Sequence, residues 1–248
     1  MADAERLSAE DEPYHREPIT YEAPYLDNLP TAPRAKFAAN IAAIQKLKEI
    51  EQRVANGGSP AFEDEQKILA QYTGWGGLSD AFDPNKSAWS NEYSQLKAAL
   101  SESEYEAARS STLTAFYTPA TVIHPIYRAL ERFGVKGGKI LEPSMGTGAF
   151  LAHRHFGSSD AKFYGVELDS ITGRISKQLY QKANIQVTGY ENALLPDNYF
   201  DCVIGNVPFG NFQVNDPQYN RLHFPIHDYF FAKSIDKLRT GGIIAIIT

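Results

Sequence analysis

The feature that most limits what this chain can become is an alternation that begins at about residue 115. Short apolar, β-branched runs alternate there with stretches of helical spacing. The runs are Lys139–Glu142 (KILE), Phe163–Glu167 (FYGVE), Ile185–Thr188 (IQVT), Asp201–Gly205 (DCVIG) and Gly242–Thr248 (GIIAIIT), and the intervening helices fall at 119–132, 148–156, 170–183 and 227–239. Strands that alternate with helices form βαβ units, so the pattern predicts an α/β fold with a mostly parallel sheet and helices on both faces. Ligands of such sheets bind at the carboxyl ends of the strands, which directs attention to the residues just after each run.

The first part of the chain reads differently. Phe37, Ile41, Ile44, Leu47, Ile50 and Val54 recur at spacings of three and four between Pro33 and Gly57-Gly58, which predicts an amphipathic helix over 34–56. Ser59-Pro60 opens a second helix to about Tyr72, the GWGG of residues 74–77 forces a turn, and residues 91–99 are helical. Ser101 with Glu104 three positions on makes a capping box for a helix to about Arg109. Residues 1–33 carry eight acidic and two basic side chains, against 22 of each in residues 34–248, so the whole net charge of −6 lies in that tail. Such a composition predicts disorder. Three regions follow: a tail at 1–33, a helical region at 34–114 and an α/β domain at 115–248. The neutral remainder offers no global basic footprint for nucleic acid, so any contact with DNA needs a local patch or a partner. The lone Cys202 excludes intramolecular disulfides and multi-cysteine metal sites. With no long apolar run and no signal-peptide pattern at the start, the expectation is a cytoplasmic protein that does not enter membranes.

Two motifs carry chemistry. After the first strand, Glu142-Pro143-Ser144-Met145-Gly146-Thr147-Gly148 is a glycine-rich turn entering a helix. Gly146 and Gly148 let the backbone approach a ligand, and the helix start offers N–H groups to an anion. The dinucleotide fingerprint wants a third small residue where Leu151 stands, which disfavours NAD. Glu167, 19 residues beyond Gly148 at the end of the second strand, is placed to accept both ribose hydroxyls of a nucleoside, with Leu168 against the base. The sharper motif is Asn206-Val207-Pro208-Phe209, directly after the fourth strand.

This set resembles the amino-group methyltransferases that use S-adenosylmethionine, whose fourth-strand motif reads Asn/Asp-Pro-Pro-Tyr/Phe. The order Phe116-Tyr117-Thr118-Pro119, EPSMGTG, GVELD, NVPF is similar to that of the gamma class of adenine DNA methyltransferases over about residues 115–248. YTGWGGLSDAF, EYEAARSSTLTAFYTP and VIGNVPFG look like the methyltransferase region of helicase–methyltransferase fusion proteins of plasmids, phages and conjugative elements, which extends the likeness to about residue 70.

The resemblance implies a Rossmann-like methyltransferase sheet, S-adenosylmethionine as cofactor, and DNA as partner through a target adenine. It implies that Tyr117 and Thr118 border the methionine carboxylate of the cofactor, that Glu142 approaches its amino group, and that Glu191 bonds its adenine; Thr118, directly before Pro119, reads by its position as a helix N-cap. Asn206 and the Val207 carbonyl would each accept one N–H of the exocyclic amine, freeing a lone pair otherwise delocalised into the ring and stabilising the charge that develops during transfer. Phe209 would stack on a base taken out of the duplex. Val207 departs from the family's proline. It still supplies a carbonyl, in what is expected to be a looser loop, while Pro208 stiffens the next position.

Other features read as structure. His223 and His227 have Pro225 between them, His153 and His155 are solvated, Cys202 lies in a buried strand, and Trp75 and Trp89 anchor the helical region. By resemblance a methyltransferase sheet adds two strands beyond GIIAIIT and a target-recognition domain. The expectation is therefore a domain completed by a further C-terminal part, a helicase region or a partner subunit. Two alternatives stay open: the same cofactor serving a glutamine amide or an RNA base, and a degenerate, non-catalytic module with an antirestriction or scaffold role.

Overall fold

The computed structural model describes residues 17–21, 29–112, 118–154 and 161–248. Five strands form one parallel sheet: β1 (Lys139–Glu142), β2 (Lys162–Glu167), β3 (Asn184–Val187), β4 (Phe200–Asn206) and β5 (Leu238–Ile247). Their spatial order is β3-β2-β1-β4-β5. The chain builds outward from β1 in one direction through β2 and β3, then returns to the other side of β1 for β4 and β5. The reversal falls between β1 and β4, where open α/β sheets form their ligand crevice.

The period-two alternation of the strands decides what packs where. Leu141 and Val203 face a core made with Tyr229 and Phe230 of α8 (Ile226–Lys237). Ile140, Cys202 and Ile204 face the opposite way, onto Ile123, Tyr127 and Leu130 of α5 (Ala120–Arg132). Burial of a few such side chains at about 25 cal/mol per Å² holds each helix to its face far more firmly than helix propensity could. The short helix α6 (Ala149–Ala152) follows β1, and α7 (Ser170–Leu179) connects β2 to β3.

The helical layer before the sheet comprises α1 (Pro33–Ala55), α2 (Glu63–Leu69), α3 (Ser90–Ala99) and α4 (Glu102–Ser111). Its core runs without a break into the sheet: Phe37, Ile44, Leu47 and Trp75 belong to the same buried cluster as Ile171, Ile175 and Leu179 of α7. Polar contacts reinforce the join, since Arg174 donates to Glu51 and Glu104, and Gln66 donates to the carbonyls of Gln178 and Leu179. The GWGG turn is a structural corner held by Asn40, which accepts from the Thr73 N–H at 2.8 Å and donates to the Gly74 carbonyl at 2.7 Å. Trp75 is buried, and Trp89 packs against the same cluster beneath the Arg34 guanidinium.

Three expectations are corrected. The second helix starts at Glu63 rather than at Ser59-Pro60, because Glu65 reaches back to the Phe62 N–H and closes a cap there. Thr118 is not the N-cap of α5; Pro119 holds that place, with an extended backbone and no side-chain bond. Residues 17–21, within the segment expected to be disordered, are paired instead: Thr20 bridges Tyr180 and the Tyr21 N–H donates to the Leu179 carbonyl at 2.7 Å. Tyr117 and His155 lie outside the described residues. No helix among those described is long and apolar enough to cross a membrane.

Candidate active site

The strand registers create the site. Leu141 lies level with Val203, and Glu142 lies level with Gly165. Thus β1 ends at Glu142, while its neighbours β2 and β4 each continue two residues further, to Glu167 and Asn206. At about 3.3 Å per residue, Glu142 sits on the floor of a notch roughly 7 Å deep. The two walls are one strand spacing away on either side, about 5 Å each.

Gly205 forms part of that floor. Its φ of +152° and its missing side chain are both needed, since a Cβ there would stand 3.3 Å from Glu142 Cγ. Sequence reading passed over this glycine, although its place at a strand end just before Asn206 was a local signal. The carboxyl of Glu142 is buried, and its Oε2 has no hydrogen-bond partner. Burial, with the Glu167 charge adding to it, pushes its pKa well above the usual carboxylate range. Beside it, the Asn206 side-chain oxygen is also buried and also unpartnered. Leaving a buried acceptor unsatisfied costs about 1–3 kcal/mol, so two of them in one notch describe a place that suits a ligand carrying N–H donors.

Glu167 occupies the wall toward β2 and is already engaged. Its Oε2 accepts from the Gly146 N–H and its Oε1 from the Asp169 N–H, each at 2.8 Å. It therefore ties the glycine turn to the sheet, and two of its four lone-pair positions remain for a ligand. Burial raises its pKa to about 7 despite those bonds. The turn itself is further fixed by Ser176, which donates to the Gly146 carbonyl at 2.7 Å, and by the Met145 N–H on Val166 at 3.0 Å. Gly146 and Gly148 both have positive φ, +55° and +80°. For Gly148 the space a side chain would need is filled by the ring of Tyr180, so protein packing by itself requires glycine at that position. Tyr180 went unnoticed in the sequence because nothing local links it to a turn 32 residues earlier.

On the β4 side, Val207 overturns the expected loose loop. Its side chain is buried, and its N–H donates to the Ile247 carbonyl at 3.1 Å, prolonging the β4–β5 ladder beyond Asn206. A proline has no N–H to give. Pro208 is half-buried and Phe209 stands in solvent. Leu168 is exposed next to Glu167. Glu191 lies in a short turn, Tyr190–Asn192, after β3, with its carboxylate folded back over Gly189 and bonded by Asn192 at 2.9 Å. The structure thus gathers Glu142, Gly146, Glu167, Asn206 and Val207 around one notch, with Leu168 exposed one residue beyond Glu167, Phe209 exposed three residues beyond Asn206, and Glu191 apart in the turn after β3. Thr118 precedes α5, and Tyr117 is outside the described residues.

His223 and His227 do not share a helix: His223 has φ +51° ahead of the Pro225 cap, and His227 lies in the first turn of α8. Among the described residues no group of three or more His, Cys, Asp or Glu could hold a metal ion. Cys202 is buried within β4, where burial pushes its thiol up to about 12.

Comparison with known proteins places this geometry. A relative described as "Defense against restriction protein B", from Escherichia phage P1, is 28% identical over 94% of this chain and 9% of its own length. "Modification methylase CviBIII" from Paramecium bursaria Chlorella virus NC1A is 30% identical over 53% of this chain and 36% of its own. The chain thus spans about a tenth and about a third of these relatives. Among solved structures, a Listeria monocytogenes protein assigned to the class I S-adenosylmethionine-dependent methyltransferases aligns with 84% of this chain and 72% of its own, at 17% identity and a TM-score of 0.46. The model of the N-6 DNA methylase family matches residues 102–248, more than half of the sequence, and with the Rossmann-like sheet and its notch at the β1/β4 reversal, this chain belongs to that family, whose cofactor is S-adenosylmethionine.

Proposed function

We propose that this chain transfers the methyl group of S-adenosylmethionine to the exocyclic amino group of adenine in DNA. The observation that carries the reading is the pair of unpartnered buried acceptors, Glu142 Oε2 and Asn206 Oδ1, on adjacent strand ends. Glu142 suits the ammonium of the cofactor's methionine moiety, whose charge would offset the burial of the carboxylate. Glu167, with two lone-pair positions left, suits the ribose hydroxyls, and exposed Leu168 suits the adenine face, with Glu191 at its edge. Thr118, with Tyr117 before it, is proposed to border the methionine carboxylate.

When bound, the cofactor supplies an electrophilic methyl on a sulfonium. The chain's part is to prepare the acceptor. Asn206 Oδ1 and the Val207 carbonyl accept the two amine N–H groups and hold the nitrogen towards tetrahedral geometry. Being fixed dipoles, they stabilise the positive charge as it forms without having to reorient. The Val207 N–H bond to Ile247 supports this role, because it anchors the peptide unit immediately before the carbonyl that does the work. Pro208 limits the next residue, and Phe209, being exposed, can stack on an extruded base. The phage relative is described as defending against restriction and aligns with nearly all of this chain. That supports methylation serving to protect DNA from restriction.

The test is incubation of the purified chain with methyl-labelled S-adenosylmethionine and, separately, unmethylated DNA, RNA and protein. Label recovered as N6-methyladenine from DNA, and lost in Asn206→Ala with cofactor binding retained, is the expected result. Label confined to RNA or protein, or cofactor binding without any transfer, overturns it.

A further inference from the structure

We infer that the loop that begins within the NVPF motif, residues 207–225, is a platform for an unpaired nucleic-acid strand beside the target, with Phe212 as its second stacking surface. The inference rests on the proposed function and adds where the flanking nucleotides lie. Three large apolar side chains in this loop stand in solvent: Phe209 at 64% exposure, Phe212 at 57% and Leu222 at 56%. Single exposed apolar residues are ordinary, but three within 14 residues, starting three residues after Asn206, concentrate exposed apolar surface in the one loop that leaves the notch.

The loop is built to present them. Phe212 folds back over Gly210, whose φ of +155° and absent Cβ make room, so the ring is held close to the peptide that follows Phe209. Gln213 donates to the His223 carbonyl at 3.3 Å and closes the two limbs of the loop on each other. Its single acid, Asp216, is removed from the surface: it is 5% exposed and paired with Lys233 of α8 at 2.9 Å. Tyr229 donates to the same carboxylate at 2.8 Å. What remains outside is aromatic, amide and cationic, with Arg221 exposed, on a chain whose net charge is −6. That local sign suits a polyanion.

The chemistry favours a single strand over a duplex. Exposed ring faces pair with base faces, and in a duplex the base faces are already stacked on one another. One arginine is too little for the phosphate contacts on which duplex affinity depends. Binding should therefore be stacking-dominated, with log K falling against log salt at a slope near −0.7 per phosphate contact, for about one or two contacts.

The test is fluorescence anisotropy of a labelled 12-nucleotide adenine-containing strand and of the matching duplex, with the full chain and its variants. Single strand bound more tightly than duplex, a loss of about tenfold in Phe212→Ala and recovery in Phe212→Trp are the expected results. Unchanged unfolding midpoints show that the exposed substitutions leave the fold intact. Affinity indifferent to Phe212, duplex preferred, no strand bound at 100-micromolar protein, or self-association abolished by Phe212→Ala overturns the platform. Failure of the platform is separable from failure of the proposed reaction. DNA methylation lost in Asn206→Ala but untouched in Phe212→Ala sinks the first alone, and Phe212-dependent strand binding without adenine methylation sinks the second alone.

Discussion

The Asp216–Lys233 pair offers the most decisive test of how the acceptor side of the notch is held. Both residues are 5% exposed, and the carboxylate also accepts from Tyr229 and from the Gln218 N–H. Lys233 reaches in addition to the Glu191 carbonyl at 3.4 Å, so one ammonium joins the loop after NVPF to the turn after β3. At 2.9 Å and an effective dielectric near 20, the attraction is about 6 kcal/mol. Desolvating two ions costs several kcal/mol each, so the intact pair contributes little net stability. Removing one partner is another matter, because it strands a buried charge at about 3–5 kcal/mol. Asp216→Asn and Lys233→Met should each lose that amount in urea unfolding followed by circular dichroism. The double variant, with no charge left to bury, should lose less than the two singles together by at least about 2 kcal/mol. The pH dependence has a definite sign. Burial alone would raise the Asp216 pKa, but the bonds from Lys233, Tyr229 and Gln218 hold it below the usual carboxylate value. The stabilisation is present above the unfolded value near 4 and is lost as pH falls through the folded value, so the gap between parent and Lys233→Met should close in acid. Additive singles, with coupling under about 0.5 kcal/mol, would refute the reasoning.

Glu167 should act in the opposite sense. Its pKa is raised to about 7, so the ligand-free chain binds an extra proton in the folded state and loses stability as pH rises from about 4.5 through 7, by up to about 3 kcal/mol; thermal unfolding across pH 5–8 measures this, and Glu167→Gln should flatten the profile. Gly148→Ala should cost more than about 2 kcal/mol in urea unfolding, since it combines a left-handed backbone with overlap onto Tyr180, whereas Gly148→Ala/Tyr180→Leu should recover part of the loss. Val207→Pro restores the residue common at this place in the family but removes the N–H bond to Ile247, and an unfolding free energy lower by about 1 kcal/mol is expected.

Elements whose signal is local were legible in the sequence. KILE matches β1 residue for residue, and the Ser101/Glu104 capping box opens α4 as read. The GWGG turn is a turn. Where the reading slipped, a non-local partner made the decision. β5 begins at Leu238 rather than Gly242 because Phe200 pairs with Leu238 before the register shifts and Cys202 pairs with Ile243. The glycines at 241 and 242 look like a strand boundary but lie inside an irregular strand. The candidate residues at strand ends were legible for the same reason the strands were. Their satisfaction was not, since that Asn206 Oδ1 lacks a donor while Glu167 has two depends on which backbone N–H groups the fold delivers to each.

The same distinction explains why the helical layer belongs to the argument about the notch. Ile19 and Tyr21 bond to the backbone around Tyr180, with Gln181 N–H donating to the Ile19 carbonyl at 3.1 Å and Tyr21 N–H to Leu179. Tyr180 fills the space beside Gly148, and Ser176, one turn earlier on α7, holds the Gly146 carbonyl. Helix α7 is in turn fixed by Arg174 to Glu51 of α1 and Glu104 of α4, and by Gln66 of α2 to its last carbonyls. The glycine turn is thus braced through α7 by three helices, α1, α2 and α4, and by an N-terminal segment far away in sequence. A turn so held does not have to be ordered by the ligand that enters it, and the entropy that would otherwise be lost on binding has already been spent in folding.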